Sequence, residues 1–390
     1  MFQRLDAKKW KYFDWPIALL VLALVAIGLL MIANATGKPK AEEGSGWLEV
    51  IASMNLRTTL LNGLWFLLGI GLVAVVLMLD YEIYGRLSPL IYWANIALLA
   101  AVLVLGAVRN NAQSWFALGD RAFQPSEIAK LAIIITLAKQ LSRYKNGVTT
   151  LRELVPILLH VMIPLVLIML QPDYGTAMVY VFITAVMLFA SGTRMWILGL
   201  LASSGVLSMI PLWKFVMSDN QKKRFLTFLN PDLDRWGAGY NVVQSKMAVG
   251  SGQITGKGFF NKESLTQLDY IPECHTDFIF SVTGETLGLI GTLTVVALYA
   301  LLIFRLLWLS RQAYDAFGSY IIIGVMAMMM FHIFQNIGMT IGIMPVTGIP
   351  LPFISYGGSN MWTNMIAIGL VLGIGMRRRR NMFAIAEGVL

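Results

Sequence analysis

An acidic residue stands where a long polar segment of this sequence passes into a hydrophobic run. The segment is Pro272-Glu-Cys-His-Thr-Asp-Phe-Ile-Phe280, and the acid nearest the hydrophobic run is Asp277. A carboxylate at a membrane boundary is costly to keep, so acids in such places usually serve a function. Asp277 is therefore the first candidate for chemistry, and the surrounding elements must explain how it is held.

Composition indicates a helical membrane protein. Of 390 residues, 57% are hydrophobic and only 13% are charged, whereas soluble domains average about 25% charged residues. Continuous apolar runs long enough to cross a hydrocarbon core of about 30 Å recur along the chain. We therefore expect an all-α, polytopic integral membrane protein. The net charge of +9 is then expected in cytoplasmic loops, with no nucleic-acid partner.

Hydropathy predicts about ten membrane spans in one domain that covers the whole chain. The spans are 15–34, 58–79, 87–108, 126–141, 154–170, 176–191, 195–215, 277–309, 317–340 and 351–376. If both termini are cytoplasmic, most basic residues outside the long loop fall on the cytoplasmic side, as the positive-inside rule requires. These residues are Arg4, Lys8, Lys9, Lys11, Arg86, Lys139, Arg143, Lys145, Arg152, Arg194, Arg305, Arg311 and Arg377 to Arg380.

The same topology places four polar segments at the outer membrane face. They are Gln-Pro-Ser-Glu at 124–127, Gln-Pro-Asp-Tyr-Gly at 171–175, the segment ending in Asp277, and Pro-Leu-Pro-Phe-Ile-Ser-Tyr-Gly-Gly-Ser at 350–359. They are far apart in sequence but share one side of the membrane. This pattern predicts a site at the outer leaflet.

Charged residues inside the predicted spans have both structural and functional interpretations. Glu127 and Lys130 are spaced i, i+3 on one helix face, so they can pair with each other or contact a substrate. Glu285 lies two turns after Asp277 on the predicted eighth span. A hydrogen-bonded packing role is favoured for Glu285, with substrate contact as the alternative.

The turn residues of these segments are also candidates for substrate binding. Asp173 follows Pro172, where an Asp commonly bonds the backbone of its own turn. Ser355, Tyr356 and Gly357 belong to a Gly-rich stretch that permits close approach of the backbone to a ligand, or that simply begins a helix.

The long outer loop, about 216–276, is nearly neutral and rich in Gly but retains many apolar residues. This content predicts a packed or re-entrant cap rather than a disordered linker. The stretch from Ser251 to Lys257 lacks the first glycine of a phosphate-binding loop. The three histidines share no metal-ligand spacing, and the one cysteine excludes an intramolecular disulfide, so no protein metal site is expected.

Together these segments make the chain resemble the SEDS (shape, elongation, division, sporulation) family of peptidoglycan glycosyltransferases, and within it the rod-shape, or elongation, branch. The matching stretches run in order from the early spans to the last: 115–130, 171–176, 228–231, 239–240, 248–252, 256–258, 272–280 and 348–359. One departure is Asn-Ala-Gln-Ser at 111–114, where many relatives are richer in Gly and Arg. This departure leaves the roles of Arg109 and Arg121 open.

The resemblance implies about ten transmembrane helices and an enzyme that polymerises lipid II at the outer leaflet of the bacterial inner membrane during cell elongation. It implies that Asp277 is the essential aspartate of the large outer loop, and that Glu127 and Lys130 are a buried pair needed for activity. It also implies a partner, a class B penicillin-binding transpeptidase of the cell-elongation complex, whose single transmembrane helix packs against this chain.

The implied chemistry is an inverting displacement at the anomeric carbon of an α-linked diphosphate donor. The acceptor hydroxyl is a poor nucleophile near neutral pH, so Asp277 is expected to take its proton. The departing undecaprenyl diphosphate needs electrostatic stabilisation more than a proton. Candidates for this are Lys130, Arg109, Arg121 and Lys257, or a divalent cation (Mg²⁺ or Mn²⁺) on the diphosphate.

Three alternatives stay open on the sequence. A flippase for lipid-linked precursors would also carry charges within its spans, but would spread them through the midplane. A non-catalytic scaffold would leave Asp277 without a role. A division or sporulation paralogue would use the same chemistry.

Overall fold

The computed structural model describes residues 12–38, 54–109, 112–118, 121–217, 219–234 and 237–377. In chain order its elements are α1 (Trp15–Thr36), α2 (Arg57–Met78), α3 (Tyr81–Arg86), α4 (Ser88–Leu105), β1 (Ala107–Arg109), β2 (Ala112–Leu118), β3 (Arg121–Phe123), α5 (Pro125–Leu141), α6 (Leu151–Leu170), α7 (Tyr174–Ala190), α8 (Met195–Pro211), α9 (Asp219–Leu229), α10 (Ala238–Ser251), α11 (Ile279–Ser310), α12 (Ala316–Thr340) and α13 (Gly358–Gly375).

The predicted all-α membrane architecture is confirmed. Within the described ranges, seven helices are long and apolar enough to cross a membrane. The remaining predicted spans correspond to α5 and α7, with 17 residues each, and α13, with 18. Continuous apolar runs favour helices here because every backbone polar group in lipid must be satisfied within the segment.

Helix α5 lies at the centre of the bundle. It packs against α4, α7, α12 and α13, and nearly all of its side chains are buried, including Lys130. The Met-rich stretch of α12 also packs inward, since Met326, Met328 and Met329 are buried. That stretch therefore belongs to the core and does not form an outer surface for a partner.

Two predicted helix starts are wrong, and one small sheet was missed. Helix α11 begins at Ile279, so Asp277 lies in the turn before it and shares no helix with Glu285. Helix α13 begins at Gly358 and not at residue 351, because the preceding stretch contains two prolines and Phe353 with a φ of 67°. The strands β1, β2 and β3 form an antiparallel sheet in the order β1-β2-β3.

The long loop is a packed cap, as its apolar content predicts. Helix α10 lies against α11 and contacts α12. The buried Ser245 Oγ lies 2.5 Å from Ser281 Oγ and donates a hydrogen bond to the carbonyl oxygen of Thr340 at 2.7 Å. The cap is thus tied to two membrane helices by polar contacts that hydropathy does not reveal.

Helix α11 is interrupted at Gly288, whose φ of 64° suits glycine and strains other residues. The chain after α10 pairs with the interrupted turn: Leu289 N donates to Gln253 O at 2.8 Å, and Lys257 N donates to Glu285 O at 2.8 Å. These bonds satisfy backbone groups that the break would otherwise leave unpaired. The break therefore anchors the cap to α11, the helix that follows Asp277.

Candidate active site

The four polar segments line one cleft, as the predicted topology requires. The cleft has a volume of about 2510 Å³, and its walls include Gln124, Glu127, Asp173, Asp277 and Tyr356. These residues come from the start of α5, the turn before α7, the turn before α11 and the stretch before α13. The convergence at one face is the geometric basis for a site.

Hydrogen bonds join the first two segments through Asp173. Its Oδ2 accepts from Gln124 Nε2 at 2.9 Å and from Ser126 Oγ at 3.0 Å. It also caps α7 by accepting from the backbone N–H and the hydroxyl of Thr176, at 3.1 and 2.9 Å. These four bonds favour the structural interpretation of Asp173 over the predicted substrate contact.

The segment before α13 holds the segment before α11. Ser355 is buried, and its Oγ donates to the carbonyl oxygen of Thr276 at 2.6 Å while accepting from Leu351 N at 2.8 Å. Tyr356 N donates to the carbonyl oxygen of His275 at 3.0 Å. Ser355 is therefore a structural residue. The side chain of Tyr356 and the backbone of Gly357 line the cleft, where both remain substrate-binding candidates.

Asp277 is half-buried on the cleft wall, two residues before α11 begins. Burial raises the pKa of its carboxyl group to about 6; the negative charge of Glu273 adds to the rise and the positive charge of Arg224 opposes it. A carboxyl group with such a pKa is mostly ionised at neutral pH yet basic enough to accept a proton. These are the properties expected of a general base.

Glu127 and Lys130 form the predicted ion pair. Lys130 Nζ lies 2.7 Å from Glu127 Oε1 and 3.0 Å from His332 Nε2. Lys130 is 1% exposed, whereas Glu127, itself buried, contributes to the cleft wall. Lys130 therefore contacts Glu127, which lines the cleft, but Lys130 itself does not line it.

Lys257 and Glu285 lie elsewhere, which corrects their assignment as substrate-binding candidates. Glu285 Oε1 accepts from Lys257 Nζ at 3.0 Å and from Leu265 N at 2.7 Å, and its Oε2 accepts from the backbone and hydroxyl of Thr266 at 3.0 and 2.7 Å. Neither residue lines the cleft. The buried carboxylate of Glu285 thus holds the loop against α11 by hydrogen bonds, which is the packing role favoured by the sequence.

Three cations that the sequence analysis did not single out face the cleft: Lys214, Lys223 and Arg224. Lys214 lies in the π-helical turn Leu212–Val216 after α8, and the other two lie on α9. In the sequence, the signal for the two cations of α9 is the basic run at 222–224, which a nearly neutral loop does not distinguish from ordinary surface charge. The side chains of Arg109 and Arg121 lie outside the described residues, so their roles stay predictions.

The cleft continues from the polar segments into an apolar region between helices. Its lining there is mostly aliphatic, aromatic and methionine side chains of α6, α7, α8 and α12: Met162, Leu165, Met169, Met178, Val181, Phe182, Met209, Ile210 and Phe331. A site of this shape offers one polar and one apolar compartment. It suits an amphipathic ligand with a charged head and a hydrocarbon chain.

Comparison with known proteins gives consistent relatives over nearly the whole chain. The family described as "Cell cycle protein", which joins FtsW, RodA and SpoVE, matches residues 14–380. Peptidoglycan glycosyltransferase MrdB of Escherichia coli K12 is 37% identical over 94% of this chain and 95% of its own length. Stage V sporulation protein E of Bacillus subtilis is 34% identical over 93% of this chain and 96% of its own.

Solved structures show the same architecture. A chain from a peptidoglycan synthase complex, described as coordinating polymerization and crosslinking, superimposes with a TM-score of 0.76 at 29% identity, covering 94% of this chain and 99% of that one. The rod shape determining protein RodA of Thermus thermophilus superimposes with a TM-score of 0.68 at 27% identity, covering 94% and 98%.

Proposed function

Because the chain belongs to the family of cell cycle proteins that comprises FtsW, RodA and SpoVE, and is a peptidoglycan glycosyltransferase of the bacterial inner membrane, we propose that it polymerises lipid II into glycan strands during cell elongation. The observation that carries the proposal is the placement of Asp277. It lies on the wall of a large cleft, with a raised pKa and with cations nearby.

In the proposed reaction the 4-hydroxyl oxygen of the acceptor sugar attacks the anomeric carbon of the donor. The new C–O bond forms as the bond to the diphosphate breaks, so the configuration inverts and the electron pair leaves with the diphosphate. Asp277 takes the hydroxyl proton as bonding develops. No carboxyl group need protonate the leaving group, since a diphosphate departs with its charge delocalised.

The leaving diphosphate would be stabilised by Lys214, Lys223 and Arg224, which face the cleft. Preorganised cations are most effective where charge develops in the transition state. A divalent cation, Mg²⁺ or Mn²⁺, would enter on the diphosphate as part of the substrate. Within the described residues no group of three His, Cys, Asp or Glu side chains could hold a metal ion.

The hydrocarbon chain of a lipid-linked sugar would occupy the apolar part of the cleft. The methionines lining it are flexible and polarisable and adapt to a chain of irregular shape. This arrangement lets the sugar and diphosphate reach Asp277 while the prenyl chain stays in an apolar environment.

The proposal includes the orientation and the partner. The positive-inside rule supports cytoplasmic termini and an outward-facing cleft. The similarity to a chain of a peptidoglycan synthase complex supports assembly with a class B penicillin-binding transpeptidase. Fusion of a periplasm-inactive fluorescent protein to the C-terminus tests the orientation, since fluorescence is expected only with that end in the cytoplasm.

The decisive experiment measures polymerisation of lipid II by purified wild type, by Asp277→Ala and by Glu263→Ala, with the transpeptidase partner added. Glu263 is an exposed carboxylate of the same loop and lies outside the cleft. We expect polymer from wild type and Glu263→Ala and none from Asp277→Ala. Polymer from Asp277→Ala would remove Asp277 as the base. No polymer from wild type, together with lipid II translocation in liposomes, would favour a flippase.

A further inference from the structure

Three consecutive carbonyl oxygens before α11 are each held by a different donor. Those of His275 and Thr276 accept from the segment before α13, through Tyr356 N and Ser355 Oγ. The carbonyl oxygen of Asp277 accepts instead from the side-chain amide of Asn336 on α12, at 2.9 Å. The backbone of Asp277 thus has its own attachment, to a membrane helix.

The same amide nitrogen holds a second loop. Asn336 Nδ2 donates to the carbonyl oxygen of Ile349 at 2.8 Å, and Asn336 is fully buried. The residue before Ile349 is Gly348, and a Cβ built on it would lie 3.5 Å from Asp277 Oδ2. One side chain therefore sets the position of the Asp277 backbone and of the loop that faces its carboxylate.

Helix α12 also contacts the buried ion pair. One turn before Asn336, His332 Nε2 lies 3.0 Å from Lys130 Nζ. Side chains four residues apart share one helix face. This face of α12 thus contacts both the Asp277 segment and the Glu127–Lys130 pair.

On these contacts we propose that Asn336 is a positioning residue for Asp277, fixing the carboxylate relative to the opposite wall of the cleft through two donated hydrogen bonds. The inference rests on the proposed function, because it assigns a role in placing the base of that reaction. Misplacing a reacting group by about 1 Å can cost about 100-fold in rate. Losing the attachment should therefore reduce kcat much more than substrate binding.

The chain offers a matched control in the preceding residue. Gln335 is also buried on α12, and its Nε2 donates to the carbonyl oxygen of Pro345 at 2.8 Å. It holds the same 345–350 loop by the same kind of bond, whereas the carbonyl oxygens of residues 275–277 accept from Tyr356, Ser355 and Asn336. Gln335→Leu therefore removes a buried amide of α12 and leaves the attachment of Asp277 in place.

The experiment compares wild type, Asn336→Leu, Asn336→Asp and Gln335→Leu in steady-state polymerisation of lipid II. We expect Asn336→Leu to lower kcat by about 10- to 100-fold with little change in KM. Asn336→Asp keeps the side-chain shape but can donate at most one bond, and only when protonated, since an ionised carboxylate only accepts. It should therefore lower kcat at least as much as Asn336→Leu, and it serves as a second test if Asn336→Leu does not fold. Gln335→Leu should keep kcat within about threefold of wild type.

A second readout does not depend on activity. Cys274, the one cysteine of the chain, lies three residues before Asp277, and burial, with the charge of Asp269 adding, raises the pKa of its thiol to about 11. Thiol modification should therefore be slow in wild type and Gln335→Leu, and several-fold faster when Asn336 no longer holds the segment.

Wild-type rates of polymerisation and thiol modification in both Asn336 variants would overturn the proposal, as would equal losses of kcat in Asn336→Leu and Gln335→Leu. If wild type makes no polymer, the proposed function fails, while the thiol rates still test the attachment.

Discussion

The pH dependence of polymerisation gives a direct test of Asp277 as the base. With a pKa of about 6, the carboxyl group is about 90% ionised at pH 7, about half ionised at pH 6 and about 10% ionised at pH 5. Only the ionised form can accept the acceptor's proton. Activity should therefore fall as pH decreases, by about tenfold between pH 7 and pH 5.

The two charges that act on Asp277 should move this acidic limb in opposite directions. Glu273 raises the pKa of Asp277 and Arg224 lowers it. Glu273→Gln should therefore shift the midpoint to lower pH, and Arg224→Gln should shift it to higher pH. Two conservative changes with opposite signs exclude a general loss of stability as the cause.

The assay is kcat/KM for lipid II polymerisation from pH 4.5 to 8.5 at constant ionic strength, since this parameter reports ionisations of the free enzyme. A midpoint near pH 4, the range of an ordinary aspartate, would refute the raised pKa. A midpoint that neither variant moves would refute the assignment of that ionisation to Asp277.

The raised pKa of Asp277 also affects the stability of the protein. Activity should increase as pH rises, whereas the contribution of Asp277 to stability should decrease. Between about pH 4 and pH 6 the folded protein binds a proton at Asp277 that the unfolded chain does not. The contribution of Asp277 to stability therefore falls as pH rises through this window. Asp277→Asn should have a Tm at pH 7 that is equal to or higher than that of wild type, even though it is inactive. A large drop in Tm would contradict the burial of the carboxylate as the source of its shift.

Three further predictions concern other parts of the cleft. Lys130→Met leaves the Glu127 carboxylate buried without its partner and should lower the free energy of unfolding by about 3–5 kcal/mol. Adding Glu127→Gln should restore stability, and an unaltered Tm in the single variant would contradict the pairing. Gly348→Ala forces a φ of 72° on a residue with a Cβ, 3.5 Å from Asp277 Oδ2, and should lower kcat while lipid II still binds; wild-type kcat would show that this wall is not close to the reaction. Lys223→Gln should raise the KM for lipid II several-fold and weaken its dependence on salt, and an unchanged KM would remove this cation from the diphosphate site.

Features that depend on neighbouring residues could be predicted from the sequence. Apolar runs predicted about ten membrane spans, and each of them corresponds to a helix in the described part of the chain, because a helix in lipid satisfies its backbone groups within one continuous segment. The i, i+3 spacing identified the pair of Glu127 and Lys130, since such residues share a helix face. The position of Asp277 at the end of a polar segment marked it as a candidate because a carboxylate there needs a reason to be kept.

Features that depend on the path of the long loop could not be predicted in this way. Glu285 lies outside the cleft, where its carboxylate is held by Lys257 and by Leu265 and Thr266 of the loop. Lys223 and Arg224 line the cleft although they belong to α9, within the long loop. Hydropathy and residue spacing carry no information about such contacts between distant segments.

The sequence by itself therefore determined the membrane architecture, the buried ion pair and Asp277 as a candidate for chemistry, all of which follow from local patterns of polarity. Only the tertiary structure decided which charges lie beside Asp277, which acid holds the loop, and how Asn336 holds the Asp277 segment. The physical reason is that burial and hydrogen bonding between residues 13 to 79 positions apart arise only when the helices pack together. Burial and neighbouring charges raise the pKa of the Asp277 carboxyl group, and the hydrogen bonds hold the segment that carries it.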